Sequence, residues 1–144
     1  MFLYSYMPNF EAASRFLTDW WEGREMPRPA LFITAENESA SGLLSLPNIN
    51  GIFCPTMSLK SAEYRLAYEN NRLAKMSYFA EGMAIANPTI GPNAYSLFLG
   101  GEPVEDRTTV WVDPWFKNIK DVKIEFDENN VYWQYNLNLL KRMA

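Results

Sequence analysis

Glu36 and Glu38 flank Asn37 in the polar run Thr34-Ala35-Glu36-Asn37-Glu38-Ser39, directly after a short apolar run at residues 30–34. In parallel α/β folds the active site gathers at the carboxyl ends of strands. Two carboxylates there could act as general acid and base or hold a cation; on a polar loop they can equally be solvated. A second run of this kind, Asn87-Pro88-Thr89-Ile90-Gly91-Pro92-Asn93, follows the apolar residues 83–86 and puts Asn87 where Glu36 stands after the first run. Gly91 could let backbone approach a ligand, and Asn93 could cap a short helix whose N-terminal amides favour an anion. The same residues also make a rigid turn that only routes the chain. The pattern GxxxxGK[ST] is absent, so this is not a phosphate loop.

Other residues read more plainly. Trp20-Trp21, Trp111, Trp115 and Trp133 could form a stacking platform, but packing in a core or interface is the simpler role for such large apolar surfaces. Cys54 has no cationic or basic neighbour in sequence to activate it, so it reads as inert. Tyr64, Arg65, Tyr68 and Arg72 read as a solvated or partly covering helix face. The chain contains no histidine and one cysteine among 144 residues. That excludes Ser-His-Asp and Cys-His catalysis within it and leaves no ordinary zinc ligand set, so no metal is expected here. Net charge is −4 and no basic cluster exists beyond Lys141-Arg142, which argues against a nucleic-acid surface. No apolar segment approaches the roughly 20 residues of a membrane span. The start, MFLYSYMPNF, has neither a basic segment nor a cleavage site. A lone cysteine fits a reducing compartment, and a cytoplasmic protein is expected.

Periodicity supplies the elements that would position these residues. Asn9 can cap a helix over residues 10–22, with Phe10, Ala13, Leu17, Trp20 and Trp21 on one face and Gly23 as its stop. Residues 30–34 form a strand without alternation, as in a sheet buried on both faces. Residues 35–60 read as a long loop with apolar contacts at Leu43, Leu44, Leu46, Ile52 and Phe53. A helix is predicted from Ser61 to about Phe79, with Ala62, Leu66, Leu73, Met76 and Ala80 along one stripe, and a second strand at residues 83–86. A helical turn over 94–99, Gly100-Gly101 and a hairpin reaching Trp111, an extended segment at 121–126, a turn and cap at Asp127-Glu128-Asn129-Asn130 and a helix from Val131 onward complete the order. Strands alternating with helices predict a parallel α/β arrangement in a single domain over residues 1–144. In the last helix Trp133, Leu137, Leu140 and Ala144 make one stripe, widened by Tyr132, Tyr135, Leu139 and Met143. The pattern runs to the last residue without a stop, so a longer parent protein is expected.

Several of these features occur together in a known order. Trp20-Trp21-Glu22-Gly23 leads into Arg28-Pro29 and a strand. Glu63-Tyr64-Arg65 lies on the next helix. Gly91-Pro92, Leu97-Phe98-Leu99-Gly100, Thr109-Val110-Trp111 and Pro114 follow, and Phe126-Asp127-Glu128-Asn129 precedes Trp133. In this order the chain resembles the N-terminal part of the uroporphyrinogen decarboxylase family, in the branch of corrinoid-linked methyltransferases and uncharacterised members. The family's domain is more than twice as long. The resemblance implies a TIM-barrel-type (β/α)₈ fold, of which this chain would supply a leading helix, about two βα units and a hairpin insertion. It implies Glu36, Asn37 and Asn87 as residues lining the substrate pocket and identifies no catalytic residue. Where the decarboxylases grip substrate carboxylates with an Arg-Gln-Ala-Gly-Arg segment, this chain has Ala35-Glu36-Asn37-Glu38-Ser39. Where they place an aspartate for the pyrrole N–H groups, it has Asn87-Pro88.

The acidic replacement would repel a polycarboxylate porphyrinogen. The parent implied is therefore a methyltransferase with a corrinoid protein partner and not a porphyrinogen decarboxylase. Corrinoid and zinc would belong to regions of that parent outside this chain. The alternative is a non-catalytic interaction module, a short homologue that buries its aromatic surface by forming a homo-oligomer or by completing another chain. On either reading the isolated chain is expected to leave apolar surface open, and neither membrane nor nucleic acid is expected as a partner.

Overall fold

A computed structural model describes residues 6–46, 61–105 and 110–144. The chain is mixed α/β, with four α-helices and two two-stranded antiparallel sheets among these residues. Its contacts divide it into two compact units, one of Met1–Leu44 with Glu69–Ala86 and one of Ser45–Tyr68 with Asn87–Ala144. No helix among the described residues is long and apolar enough to cross a membrane.

In the first unit, helix α1 (Phe10–Trp21) forms close to where periodicity predicts it and stops before Gly23, whose φ of 69° is the left-handed stop that glycine favours. Asn9 does not cap the helix with its side chain; its Nδ2 donates instead to the carbonyl of Ala80 at 3.0 Å. Strand β1 (Phe32–Glu36) starts two residues later than predicted. It pairs with β2 (Met76–Ala80), in the register Phe32↔Ala80 through Glu36↔Met76.

Two expectations are corrected at this sheet. The second helix, α2 (Ala62–Ala74), ends well short of Phe79, and the residues beyond it become β2. Asn70 and Asn71 weaken its last turns, while Tyr78 and Phe79 favour extended backbone. In β2, Tyr78 packs toward the core and Phe79 is 49% exposed, a strand alternation that the helical stripe through Met76 and Ala80 concealed. The second correction concerns direction: β1 and β2 run antiparallel, whereas a parallel pair was expected. Residues 83–86, expected as the second strand, form none. They fill the core instead. Ala84 is buried with Met7, Ala13 and Leu73, and Phe10, Tyr78, Met83 and Ala86 pack around them.

In the second unit, the short helix α3 (Ala94–Phe98) packs on the last helix, α4 (Val131–Met143). Asn130 caps α4, accepting from Tyr132 N at 2.9 Å and Trp133 N at 3.0 Å, while its Nδ2 donates to the Leu97 carbonyl at 3.0 Å. Trp133 takes Phe98 and Phe126 edge-on, each at 5.2 Å between ring centres. The buried side of α4 is the one carrying Leu139 and Met143, and Leu140 is 45% exposed. The predicted hairpin is present as β3 (Pro103–Glu105) and β4 (Val110–Val112). The predicted extended segment at 121–126 follows a 3₁₀ turn, Ile119–Asp121, and joins no sheet.

Candidate functional site

Glu36 is the last residue of β1 and Asn37 follows it, so Glu36 stands in the strand and not on a loop after it, where the sequence reading placed it. Glu36 and Glu38 are exposed. Asn37 is committed to structure. Its N–H extends the sheet by donating to the Lys75 carbonyl at 2.8 Å, its Nδ2 donates to the Ala74 carbonyl, and its Oδ1 accepts from Ser39 N at 3.1 Å. Asn87 is exposed and lies in the second unit, whereas Glu36 and Asn37 lie in the first. Its Oδ1 accepts from Thr89 N at 3.0 Å, an Asx turn that fixes the loop. Cys54, Ile52 and Phe53 lie outside the described residues. Among the described residues no group of three His, Cys, Asp or Glu side chains is placed to hold a metal ion.

The loop at Asn87 has a buried anchor that the sequence reading assigned to a solvated or covering face. Arg65 is 1% exposed, and its Nη2 donates to the carbonyls of Asn87 at 2.8 Å and Thr89 at 3.2 Å. Tyr64 beside it is also buried and stacks on Tyr68. Helical periodicity ranks arginine as polar and therefore outward; a guanidinium reaching two backbone carbonyls breaks that ranking.

The first unit holds a second buried ion. Glu81 is 4% exposed and is gripped by Arg28 through two parallel bonds, Nη1 to Oε2 at 2.7 Å and Nη2 to Oε1 at 2.6 Å. Its Oε2 also accepts from Leu31 N at 2.9 Å, and its own N–H donates to the Leu31 carbonyl at 3.0 Å. The side chain thus adds a rung to the β1–β2 ladder, just past Ala80, whose φ of 51° turns the backbone out of strand geometry. The hydrogen bonds from Arg28 hold the Glu81 carboxyl at about 2, against the opposing effect of burial. The Arg28 guanidinium also lies over the Phe16 ring, 4.2 Å from its centre.

Beside this pair opens an apolar groove of about 340 Å³. Leu17 and Trp20 of α1 form one side, Leu31 and Phe32 another, and Met83 and Ile85 a third. Glu81 is the one charged lining residue, and its carboxylate is fully engaged by Arg28 and Leu31. The groove therefore offers no free charge. Its walls are open to water: Trp20 is 51% exposed, Phe32 66% and Ile85 61%, and neighbouring Trp21 is 83% exposed. Of the tryptophans predicted for a core or an interface, Trp20, Trp21, Trp111 and Trp115 are exposed, and Trp133 alone packs inward, against Phe98 and Phe126. The expected apolar contacts of the long loop at Leu43, Leu44 and Leu46 are also exposed. The groove escaped the sequence reading because its walls come from three separate stretches, two of them joined by the Arg28–Glu81 pair across 53 positions.

Compared with known proteins, the chain matches no family model, no curated protein and no solved structure.

Proposed function

We propose that this chain acts by assembly: the groove between α1 and β1, with the aromatic surface around it, is covered by another polypeptide. The observation that carries this reading is the exposure of Trp20, Trp21, Leu31, Phe32 and Ile85 around one neutral groove. Scattered surface hydrophobes need no explanation, but a contiguous patch containing two tryptophans marks an interaction surface. The patch has no unneutralised charge facing it, so the matching surface is apolar. Sedimentation of the purified chain and binding of a hydrophobic dye test this. A particle heavier than the 16.7 kDa chain is expected, and the double variant Trp21→Ser/Phe32→Ser should return it to monomer size. A monomer with a sharp cooperative melt and no dye binding overturns the reading.

A second reading rests on the order of the motifs. Arg28-Pro29 leads into β1, and Glu36 and Asn37 close that strand at the end where barrel enzymes keep their sites. On this reading the chain is the N-terminal part of a uroporphyrinogen decarboxylase-like barrel, in the cytoplasm, whose parent transfers methyl groups with a corrinoid protein and binds zinc outside this chain. It ranks second because barrel strands are parallel, and β2 would have to stand outside the barrel. Methyl transfer from a methylated corrinoid by the protein encoded across the whole reading frame tests it.

A further inference from the structure

Building on the assembly reading, we infer that the polypeptide this chain assembles with is a second copy of itself, joined along the outer edge of β1 into a continuous four-stranded sheet. Leu31 and Asn37 point their backbone groups toward β2, since Leu31 accepts from Glu81 N and Asn37 donates to Lys75 O. In an antiparallel ladder this orientation alternates. Phe32, Thr34 and Glu36 therefore turn their N–H and C=O groups to the opposite edge, where they meet no partner among the described residues.

The outer edge of β2 is closed at its end: Asn9 donates to the Ala80 carbonyl there, and the left-handed turn at Ala80 bends the backbone away. The β1 edge is five residues long and carries one charge, Glu36, at its end, but lacks the stronger devices that blunt free strands. It carries no Pro, no Lys and no bulge, and all of its residues are exposed.

The edge is complementary to itself. An antiparallel pairing of two β1 strands about a two-fold axis at Thr34 sets Thr34 opposite Thr34, and Phe32 opposite Glu36 of the second copy. Each of these is a hydrogen-bonded position, so every outward N–H and C=O of Phe32, Thr34 and Glu36 finds a partner. The two Glu36 side chains then lie about 14 Å apart along the strands, beyond the screening length of physiological salt. The other edge of β1 is taken by β2, so pairing through the free edge closes as a dimer and cannot continue as an open stack through β1. Phe32 also lines the apolar groove, so this pairing brings the two grooves to one face of the joined sheet.

The test uses the full chain with Cys54→Ser as background. Chains carrying Thr34→Cys should couple to one another through a short bifunctional thiol reagent. Chains carrying Phe32→Cys should couple to chains carrying Glu36→Cys, and neither of these to itself. Thr34→Pro removes the central donor at an edge position where proline fits the strand, and should weaken the dimer at least tenfold in sedimentation. Assembly with no such coupling pattern, or assembly unchanged by Thr34→Pro, overturns the edge pairing and leaves the assembly reading standing. A chain that stays monomeric at about 100 μM, well above the Kd range of specific dimers, overturns both.

Discussion

Replacing Glu81 by glutamine probes the join that holds β1 to the rest of the first unit. The carboxyl is lowered from 4.5 to about 2, chiefly by the hydrogen bonds from Arg28. At about 1.4 kcal/mol per unit, that shift corresponds to about 3 kcal/mol of preference for the charged, folded form. Arg28 is 40% exposed, so water screens its side of the pair, and about 1.5–2.5 kcal/mol is expected to survive. Because the folded value is depressed, the contribution is complete above the unfolded value near 4.5 and disappears as the pH falls toward 2. Glu81→Gln keeps an acceptor for Leu31 N–H and loses the charge that Arg28 grips. The variant should therefore be less stable than the parent by about 2 kcal/mol at pH 7, and the gap should shrink to under about 0.5 kcal/mol near pH 2.5. Urea unfolding followed by tryptophan fluorescence, at one protein concentration through the pH series, measures it. The other carboxylates titrate equally in both proteins, so the difference isolates Glu81. A gap absent at pH 7, or one that stays constant with pH, refutes the reasoning.

Neighbouring positions should respond with opposite signs. Gly82→Ala would put a Cβ 2.6 Å from the Ile33 carbonyl oxygen and 3.0 Å from that of Phe79, both backbone atoms, and should cost about 1–3 kcal/mol in thermal or urea melts. Ala80→Gly relieves a left-handed alanine and should stabilise by about 0.5–1 kcal/mol in the same melts. Arg65→Met strips the Asn87 and Thr89 carbonyls of their charged donor; a loss of about 2–4 kcal/mol and faster hydrogen exchange at residues 87–91 are expected. Lacking histidine and carrying one cysteine, the chain should hold substoichiometric zinc after dialysis, read by metal analysis.

What the sequence made legible is what local chemistry decides. Helix α1 and its stop at Gly23, the turn and cap at Asp127 to Asn130, the hairpin after Gly100-Gly101 and the last helix each depend on residues within a few positions of one another. Asn130 could be read as a cap because its partners are Tyr132 and Trp133. Asn9 and Asn93 carry the same residue type before a helix, yet their amides reach Ala80 and Val110 instead. A capping residue has a local option and a tertiary one, and the sequence displays only the first.

The direction of β2 and the groove beside it lie beyond that reach for a related reason. A stripe through Leu73, Met76 and Ala80 satisfies helical spacing, and Met76, Tyr78 and Ala80 satisfy strand spacing equally well; only the partner strand at Phe32–Glu36 decides between them. Once β2 runs antiparallel, Glu81 arrives opposite Leu31, within reach of Arg28, and its buried charge is neutralised by a residue 53 positions away. That neutralisation is what leaves the adjoining groove apolar without a stray charge, and it ties residues 28–31 to the end of β2 while the far edge of β1 stays open. The neutral groove is thus a consequence of one strand direction. A parallel β2 would carry its residues past β1 the other way, Ala80 would no longer face Phe32, and Glu81 would not meet Leu31 at all.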